Sequence, residues 1–439
     1  MKAIWLHQVQ LLRGPGAELE LGDALLGADG RLEALGVEAS RRAAGLGLSP
    51  RPAGGSLLAP VLVDPHSVLD DPWTGQAETL TSLAEAAARG GYGTVALLPW
   101  ARPWRDRPER LNLSWPAPLQ LLLWGSFSRD GADTDLALHA LQVAAGAIGL
   151  AGGPECPPLA LLERGLLLAE APRQPLLVAP RQLALTSGGF VREGVEALRA
   201  GWPIDPQVSE TLPLQSLLTL AATGSGQVLN LMNLSTAAGV AALERAPWRP
   251  PATVAWWHLV ADSGSLSPTA EGWRLEPSLG TPGDRQALIA ALAAGTLSAV
   301  AVHHQALDAE EQMLPLDQRP PGIAGHGGHH GLVLPALWHA LVRGRGWSAS
   351  QLWQVLSWGP SGLLQQPAER LVAGSRRWLL FDPEAQPSAW GGGGGGSLAA
   401  NQPGPPQASA GAVRATGLTA PDQWWLDPAA PGAAAFPPG

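Results

Sequence analysis

The sequence predicts an α/β protein in which a (β/α)8 barrel carries a small β-domain made from both ends of the chain. Between residues 59 and 369, short apolar runs alternate with helix-like segments seven or eight times. Such alternation is typical of parallel strands joined by crossover helices, and about eight units favour a closed barrel. Both ends of the chain are instead rich in short strand patterns. We therefore expect a first β part at 1–58, the barrel at 59–369 and a second β part at 370–439.

The two ends of the chain contain strands and turns. The tripeptide Ala-Asp-Gly at 28–30 is typical of a hairpin turn in the N-terminal part. In the C-terminal part, strand patterns at 376–381 and 412–415 flank six consecutive glycines at 391–396, and such a run predicts a flexible loop. We expect the two strand-rich ends to pair beside the barrel.

The central range begins with an apolar run at 57–63 that ends in Asp64, Pro65 and His66. This run is typical of a buried strand that delivers polar groups at its C-terminal end. A helical segment follows at 78–89 and ends at two glycines. The later strands and helices are expected in the same alternation, at 94–98, 119–124, 135–145, 159–170, 176–179, 214–222, 227–231, 235–245, 253–257, 284–294 and 297–302.

Composition excludes several classes of function. The formal charge of the 439 residues is −9, with 37 acidic and 28 basic side chains, and no basic block with interleaved aromatics suggests nucleic-acid binding. The single cysteine, Cys156, excludes an internal disulfide and a cysteine-based zinc cluster. The longest nearly apolar stretch, 287–302, is too short to span a bilayer. Since the N-terminus is also a poor signal peptide, we expect a soluble, cytoplasmic protein.

Several segments resemble, in the right order, the dihydroorotases of the amidohydrolase superfamily. Residues 58–66, LAPVLVDPH, are similar to the family's first barrel strand, P-G-x-V-D-P-H-x-H. Residues 86–99 resemble A-A-A-G-G-x-T-T-V-x-x-M-P, and 231–237 resemble the strand ending in H-x-S-T. Residues 284–307 resemble the helix and strand ending in T-D-H-A-P-H, and 319–325 resemble A-P-P-G-x-x-G. The chain is thereby identified as a degenerate member of this family.

The resemblance implies a (β/α)8 barrel of the metal-dependent hydrolase type with a composite β-sandwich from both termini. It also implies zinc at the C-terminal mouth of the barrel. The family reaction is the ring closure of carbamoyl aspartate to dihydroorotate in pyrimidine biosynthesis. In that reaction zinc supplies hydroxide and polarises a carbonyl, and an aspartate moves the proton.

The family's first metal ligands and its substrate-binding arginine are mostly replaced. The His-x-His pair is represented by His66, Ser67 and Val68, so one ligand survives and the other is a valine. The arginine two residues further on is Asp70, which reverses the charge that would meet a carboxylate substrate. Only His66 of the metal positions is kept, as a vestigial ligand.

The bridging ligand is also missing. The aspartate that bridges metals in many members falls at Gly152 and Gly153, which have no ligating side chain. Some relatives use a carboxylated lysine in its place. Lys2 is the only lysine of the chain and lies near the start of the first strand, so this route is excluded.

The remaining family positions follow the same trend. The catalytic aspartate falls at His303, and the histidine after it is kept as His304. The other replacements are Ala179 for a ligand histidine, Asn230 and Asn233 for a histidine pair, Leu307 for the last histidine of T-D-H-A-P-H, and Trp100 and Glu276 for two substrate-binding asparagines. A catalytic zinc needs about three protein ligands, so we expect no zinc cofactor and no intact catalytic residue.

Two functions remain open. The first is a catalytically inactive dihydroorotase-like protein that serves as a structural or regulatory partner of aspartate transcarbamoylase, as in some bacteria, and that forms a homo-oligomer. The alternative is a metal-dependent cyclic amidohydrolase with a remodelled site. A small-molecule sensor is a third possibility without a positive feature in the sequence.

New sites could have arisen from histidines, tryptophans or the cysteine. His66, His303 and His258 could form a replacement metal site. The histidines within 326–330 could bind metal, but a solvated loop is the favoured interpretation. The 19 tryptophans are expected mainly to fill the core, with an interface patch as the alternative, and Cys156 is expected to be inert.

Overall fold

The structure is a computed structural model, and it describes residues 3–168, 170, 173–222, 228–264, 273–328, 330–385, 396–403, 411–424 and 426. The strands in this part of the chain are β1 Ile4–Leu11, β2 Glu20–Leu26, β3 Leu32–Leu35, β4 Pro50–Pro52, β5 Leu57–Pro60, β6 Leu62–Ser67, β7 Tyr92–Leu97, β8 Gln120–Leu123, β9 Gly125–Ser126, β10 Leu150–Ala151, β11 Pro175–Val178, β12 Val191–Arg192, β13 Ile204–Asp205, β14 Val228–Leu231, β15 Thr253–Ala255, β16 Ala299–Ala301, β17 Trp378–Asp382 and β18 Ala412–Thr416.

Helices lie mostly between these strands, and the predicted α/β class is confirmed. The α-helices are α1 Val37–Gly45, α2 Leu80–Arg89, α3 His139–Ala144, α4 Leu159–Leu168, α5 Leu183–Thr186, α6 Val195–Ala200, α7 Val208–Ala222, α8 Ala237–Arg245, α9 Trp257–Val260, α10 Pro282–Ala293, α11 Ala309–Met313, α12 Val333–Leu337, α13 Ala349–Trp353 and α14 Gly359–Leu363. Short 3-10 helices lie at Pro108–Arg110, Arg129–Gly131 and Pro421–Gln423, and π-helical turns lie at Trp338–Arg343 and Gln354–Trp358.

The central strands pair in parallel, in chain order. β6, β7 and β8 form one group, β9, β10, β11 and β14 a second, and β15 and β16 a third. The Trp124 amide, between β8 and β9, donates to the Leu97 carbonyl (2.9 Å), and a bridge joins Leu231 to Ala252 before β15. Beyond β16, the His303 amide donates to the His66 carbonyl (3.1 Å). These connections lead from β16 back to β6, and we call the set of strands the parallel ring.

Local sequence explains where the elements of the parallel ring begin and end. β6 and β7 are buried along their whole length, as expected for strands with apolar neighbours on both faces. Thr79 and Ser82 form a capping box at the start of α2, and Thr281 and Asp284 form one at the start of α10. Gly91 has φ +85 between α2 and β7, and a Cβ there would meet the Leu379 side chain, so only glycine fits this turn without strain.

The two ends of the chain meet in one sheet, as predicted. Its strand order is β18-β17-β5-β1-β2-β3, with β4 also paired to β1. β17 is antiparallel to β5, which joins the C-terminal part to the N-terminal part. The predicted hairpin at 28–30 is confirmed by the antiparallel pairing of β2 and β3. Helix α1 covers one face of the sheet through Ala39 and Ala43. Glycines 391–395 of the predicted flexible loop lie outside the described residues.

One feature of the ring connections was not predicted. After β11, residues 189–206 contain β12, α6 and β13, and the two strands form their own short parallel pair. Val191 of β12 also bridges to Leu279, before α10. We call residues 189–206 the cover segment because it lies beside the C-terminal ends of the ring strands. No helix in the described ranges is long and apolar enough to cross a membrane.

Candidate site at the C-terminal ends of the parallel strands

His66, at the end of β6, is completely buried, and both of its ring nitrogens are engaged. Its Nδ1 lies 3.1 Å from His303 Nδ1, and its Nε2 lies 2.9 Å from Thr253 Oγ1. The two imidazole rings meet edge to face, with centroids 5.0 Å apart. The sequence-based suggestion that His66 and His303 face each other is therefore correct.

The pKa shifts and the hydrogen-bonding partners of His66 and His303 determine which of their ring nitrogens carry a proton. Burial lowers the pKa of His303 to about 4, against the raising effects of the Asp64 charge and of a hydrogen bond to the Glu276 backbone. Burial and the neighbouring His303 also hold the pKa of His66 well below its usual value. Both rings are thus neutral at pH 7. Because His303 donates to the Glu276 backbone, its Nδ1 accepts from His66 Nδ1–H, and His66 Nε2 then accepts from the Thr253 hydroxyl.

Zinc does not fit these residues. A neutral histidine ligates a metal through a ring nitrogen whose lone pair is free, and His66 offers none. Val68 packs against the apolar cluster that includes Ala151 and Met232, and Ala179 belongs to the same cluster. The described part of the chain contains no group of three or more His, Cys, Asp or Glu side chains that could hold a metal ion.

Trp100 contacts Gly152 and His303, two positions at which the family resemblance implies carboxylates. Its Nε1 donates to the Gly152 carbonyl at 2.8 Å. Its ring lies edge-on to His303, with centroids 5.9 Å apart. The remaining cavity beside them has a free volume of only about 20 Å³, which is room for about one water molecule.

The cover segment is tied to this cavity by Arg192, which is completely buried. Its guanidinium lies 3.1 Å from Asp205 Oδ2 and donates to Ser209 Oγ (2.7 Å) and Ser235 Oγ (3.0 Å). Glu210 Oε2 lies 3.4 Å from the same guanidinium group. A single side chain therefore joins β12 to β13, to the start of α7 and to the loop after β14. Sequence reasoning missed this hub, since nothing local marks Arg192.

Other residues singled out from the sequence lie away from the cavity. Asp70 is half exposed and lies 3.8 Å from the Arg102 guanidinium. Asn230 is buried and donates weakly to the Leu363 carbonyl (3.5 Å), and Leu307 is a buried core residue. By contrast, Asn233 and Glu276 line the cavity together with His303. Trp100 and Ala179 line it as well, so the structure brings five of the predicted substitutions together and separates the others.

A second histidine group lies beside the first. His326 Nε2 is 2.9 Å from Asp64 Oδ2, and His304 Nε2 is 3.2 Å from Glu78 Oε2. The His326 amide donates to His304 Nδ1 (3.1 Å), which links the two pairs. All four side chains are at most 2% exposed. The prediction of a solvated loop is therefore wrong for His326, because Asp64 offers it a buried acceptor; His329 lies outside the described residues.

His258 does not complete the suggested replacement site. Its Nε2 faces the carbonyls of Pro277 (3.2 Å) and Ser278 (3.3 Å). Burial lowers its pKa to about 4. The expected inertness of Cys156 is supported, since burial above all raises the pKa of its thiol to about 12. Trp256 and Trp257 are core residues, as expected, whereas Trp425 lies outside the described residues.

Comparison with known proteins shows the family to which the chain belongs. No family model matches the chain. A probable dihydroorotase-like protein of Synechocystis sp. is 33% identical over 376 residues, which cover 77% of this chain and 82% of that protein. The chain belongs to the dihydroorotase family. A dihydroorotase of Listeria monocytogenes serotype 4b is 26% identical over 332 residues, or 74% of this chain and 77% of the enzyme. The family predicted from the motifs is thus confirmed.

Solved structures agree on the fold. An L-hydantoinase (dihydropyrimidinase) from Arthrobacter aurescens superposes with a TM-score of 0.75 at 17% identity, over 95% of this chain and 94% of that one. A D-hydantoinase superposes with a TM-score of 0.73 at 16% identity, over 94% and 93%. At such low identity the likeness concerns the fold alone.

Proposed function

We propose that this chain is a catalytically inactive dihydroorotase-like protein that acts as a structural or regulatory partner of aspartate transcarbamoylase in pyrimidine biosynthesis. The observation that carries the loss of catalysis is the engagement of both His66 ring nitrogens, by Thr253 and His303. The only family ligand left in the chain is therefore used as a structural hydrogen-bonding group.

The size of the cavity supports the same proposal. Carbamoyl aspartate carries two carboxylates and a ureido group, whereas the cavity beside His303 has room for about one water molecule. Trp100 and Arg192, the latter from the cover segment, line this cavity. No proton shuttle remains at the catalytic position either, because His303 is neutral and already hydrogen-bonded on both nitrogens.

The proposal includes the architecture that the family resemblance implies. We infer that the parallel ring is a closed (β/α)8 barrel and that the terminal sheet is part of a composite β-sandwich. The hydrogen bond from the His303 amide to the His66 carbonyl, which links the last ring strand to the first, supports closure. The pairing of β17 with β5 supports a β-domain shared by both ends of the chain.

A partner role is supported by the distribution of exposed apolar side chains. Nine of the nineteen large exposed apolar residues of the described chain fall between 138 and 212, on α3, α4, the cover segment and the start of α7. They are Leu138, Leu141, Leu159, Leu167, Leu168, Val195, Leu198, Val208 and Leu212. Concentrations of exposed apolar surface mark interaction sites more often than chance. We propose that this region contacts the transcarbamoylase, and that the protein is a cytoplasmic homo-oligomer.

Activity and metal content test the loss of catalysis. The untagged protein is assayed for interconversion of carbamoyl aspartate and dihydroorotate, with and without added Zn²⁺, and its zinc is measured by elemental analysis. We expect no turnover above a protein-free blank and less than about 0.1 zinc per chain, since a catalytic site needs three ligands. Turnover with stoichiometric zinc would overturn the proposal.

Co-purification tests the partnership. The chain and the aspartate transcarbamoylase of the same organism are mixed at micromolar concentration and separated by size-exclusion chromatography. We expect a joint peak, which Leu198→Glu, on the cover segment, weakens. Leu46→Glu is the matched control. Leu46 is similarly exposed, but it lies directly after α1, the helix that packs on the terminal sheet. Separate elution of the wild-type proteins would contradict a stable complex.

The alternative function is a cyclic amidohydrolase with a remodelled site. One observation favours it, because Thr253, His66 and His303 follow one another as hydroxyl, base and orienting group. However, Thr253 and His66 are fully buried, so substrate cannot reach the hydroxyl in this conformation. If hydrolysis is detected, Thr253→Val should abolish it; activity that survives this substitution would exclude the triad.

A further inference from the structure

The cavity beside His303 has an unusual imbalance of hydrogen-bonding groups. Three side chains that line it, Arg181, Arg192 and Asn233, are only 6%, 0% and 4% exposed. Each has a buried nitrogen without a hydrogen-bond partner among the described residues, namely Arg181 Nε, Arg192 Nε and Asn233 Nδ2. All three atoms are donors. Leaving a buried donor unpaired destabilises the folded state, so three unpaired donors on residues around one cavity point to a common acceptor.

The carboxylates that line the cavity do not accept hydrogen bonds from these three nitrogens. Glu210 Oε1 accepts from the Thr236 amide (3.1 Å) and hydroxyl, and its Oε2 accepts from the Ser235 amide (2.9 Å) and hydroxyl. Glu276 Oε1 lies 3.0 Å from Arg181 NH1, which leaves Arg181 Nε unpaired. Both carboxylates are thus directed to other partners.

The missing partner has the character of an anion. In the described part of the chain, no residue lining this cavity has a buried side-chain acceptor without a partner. A water molecule would bring two protons that also need acceptors, whereas a monoatomic anion only accepts. Hydrogen bonds from guanidinium groups to an anion are also stronger than those to a neutral acceptor.

The volume restricts which anion can enter. About 20 Å³ holds one species the size of a water molecule, which excludes carboxylates, phosphate and sulfate in this conformation. We propose that the cavity is a binding site for a single halide-sized anion, with chloride as the natural candidate, held by Arg181, Arg192 and Asn233. This site does not depend on the proposed partnership with aspartate transcarbamoylase.

Thermal unfolding in different salts tests the site. Sodium chloride replaces sodium gluconate at constant ionic strength, so that general screening stays the same while only chloride is small enough to enter. A ligand that binds only the folded state raises the midpoint in proportion to the logarithm of its concentration above Kd. We expect a midpoint rise that follows a binding curve with chloride, the same with bromide, and none with gluconate.

Matched variants separate binding from a general salt effect. Asn233→Ala removes one donor and should lower the apparent chloride affinity at least about tenfold, the equivalent of one lost charge-assisted bond. Asn230→Ala is the control, because Asn230 is a buried asparagine of β14, three residues before Asn233, that does not line the cavity. It should keep the wild-type chloride response. An equal response of both variants would overturn the assignment.

A direct measurement on the wild-type protein does not depend on how the variants fold. In crystals grown or soaked in sodium bromide, we expect an anomalous peak between Arg181, Arg192 and Asn233. Density without an anomalous signal at this position would identify water and would refute the proposal.

Discussion

Two buried histidine groups lie side by side in this protein and have different hydrogen-bonding partners. The neutral pair, His66 and His303, contact each other, and among the described residues neither ring has a carboxylate as a hydrogen-bond partner. The carboxylate pairs, Asp64 with His326 and Glu78 with His304, each place an acidic oxygen within 3.2 Å of an imidazole nitrogen. The family resemblance assigns a metal ligand to the position of His66 and the catalytic group to that of His303. The carboxylate pairs lie beside this pair, with His304 next to His303 in the chain. The two groups show that neighbouring buried histidines can be held by entirely different partners.

The carboxylate pairs act as a structural connection between distant segments. Asp64 accepts from the Val302 amide (3.0 Å) and the Ser67 hydroxyl (2.5 Å) in addition to His326. Glu78 accepts from the Leu398 amide (3.2 Å), which ties the C-terminal segment to the start of α2. Hydrogen bonds from His304 and Ser397 keep the pKa of Glu78 below its usual value, although burial alone would raise it. These groups therefore stabilise the fold whether or not the site is catalytic.

The largest expected effect on the free energy of unfolding comes from removing the charge of one carboxylate pair. Asp64→Asn removes the charge that faces His326 and one acceptor of a fully buried network, and loss of one partner of a buried pair costs about 3–5 kcal/mol. Equilibrium urea unfolding at pH 7.5 measures it. Glu38→Gln on the exposed face of α1 is the control and should change the free energy of unfolding little. A loss no larger than that of the control would show that the pair is dispensable.

The neutral pair should make stability depend on pH. The folded-state pKa of His303 is about 4 and that of His66 is also lowered, whereas an unfolded histidine titrates near pH 6.5. The unfolded chain then binds more protons, so stability is complete above about pH 6.5 and falls towards pH 4. For His303 this loss is up to roughly 3 kcal/mol. The raised pKa of the buried Glu276 carboxyl acts in the opposite direction.

Unfolding free energies at pH 4.5, 5.5, 6.5 and 7.5 measure this dependence. His303→Asn should reduce the slope between pH 6.5 and 4.5. His7→Asn is the matched control, because His7 is partly exposed and lies in the terminal sheet, and it should leave the slope nearly unchanged. A wild-type slope unaffected by His303→Asn would assign the acid sensitivity to other groups, such as the buried His258, whose pKa is also lowered to about 4.

A smaller loss of stability is expected when the Thr253 hydroxyl, which contacts His66 of the neutral pair, is removed. Thr253→Val keeps the shape of the side chain but leaves His66 Nε2 and the Asn233 amide without their shared partner. The expected cost is about 1–3 kcal/mol, measured by urea unfolding. Thr219→Val, at an exposed position of α7, is the control. Equal costs at the two positions would mean that the hydroxyl of Thr253 does not orient His66.

The smallest expected effect is that of zinc on the thermal midpoint of unfolding. Because His66 has no free lone pair and the neighbouring positions are Val68 and Ala179, neither Zn²⁺ nor a chelator should shift the thermal midpoint by more than about 1 °C. Differential scanning fluorimetry with equimolar Zn²⁺ and with a chelator measures this. A zinc-dependent rise that disappears in His66→Gln would show that the neutral pair can open to accept a metal.

Much of the fold and part of the site could be predicted before the tertiary structure. The apolar run at 94–98 became most of β7, since a fully buried strand has an apolar pattern. The single strand expected at 57–63 is instead divided between β5, in the terminal sheet, and β6, in the parallel ring. The predicted helix at 135–145 is shorter, because Leu136 instead forms a bridge with Ser128. The cover segment was missed because its two-residue strands are too short to leave a periodic pattern.

The sequence by itself determined which side chains are absent from the positions that the family resemblance marks. The side chains of valine, glycine and alanine cannot ligate a metal in any fold, and a chain with Lys2 as its only lysine has no other lysine to be carboxylated. Only the tertiary structure decided what the remaining groups do instead. Asp64 meets His326 across 262 positions, and His66 meets His303 across 237. Such partnerships depend on the distances between side chains after folding, and the roles of buried histidines follow from their partners rather than from their place in a motif.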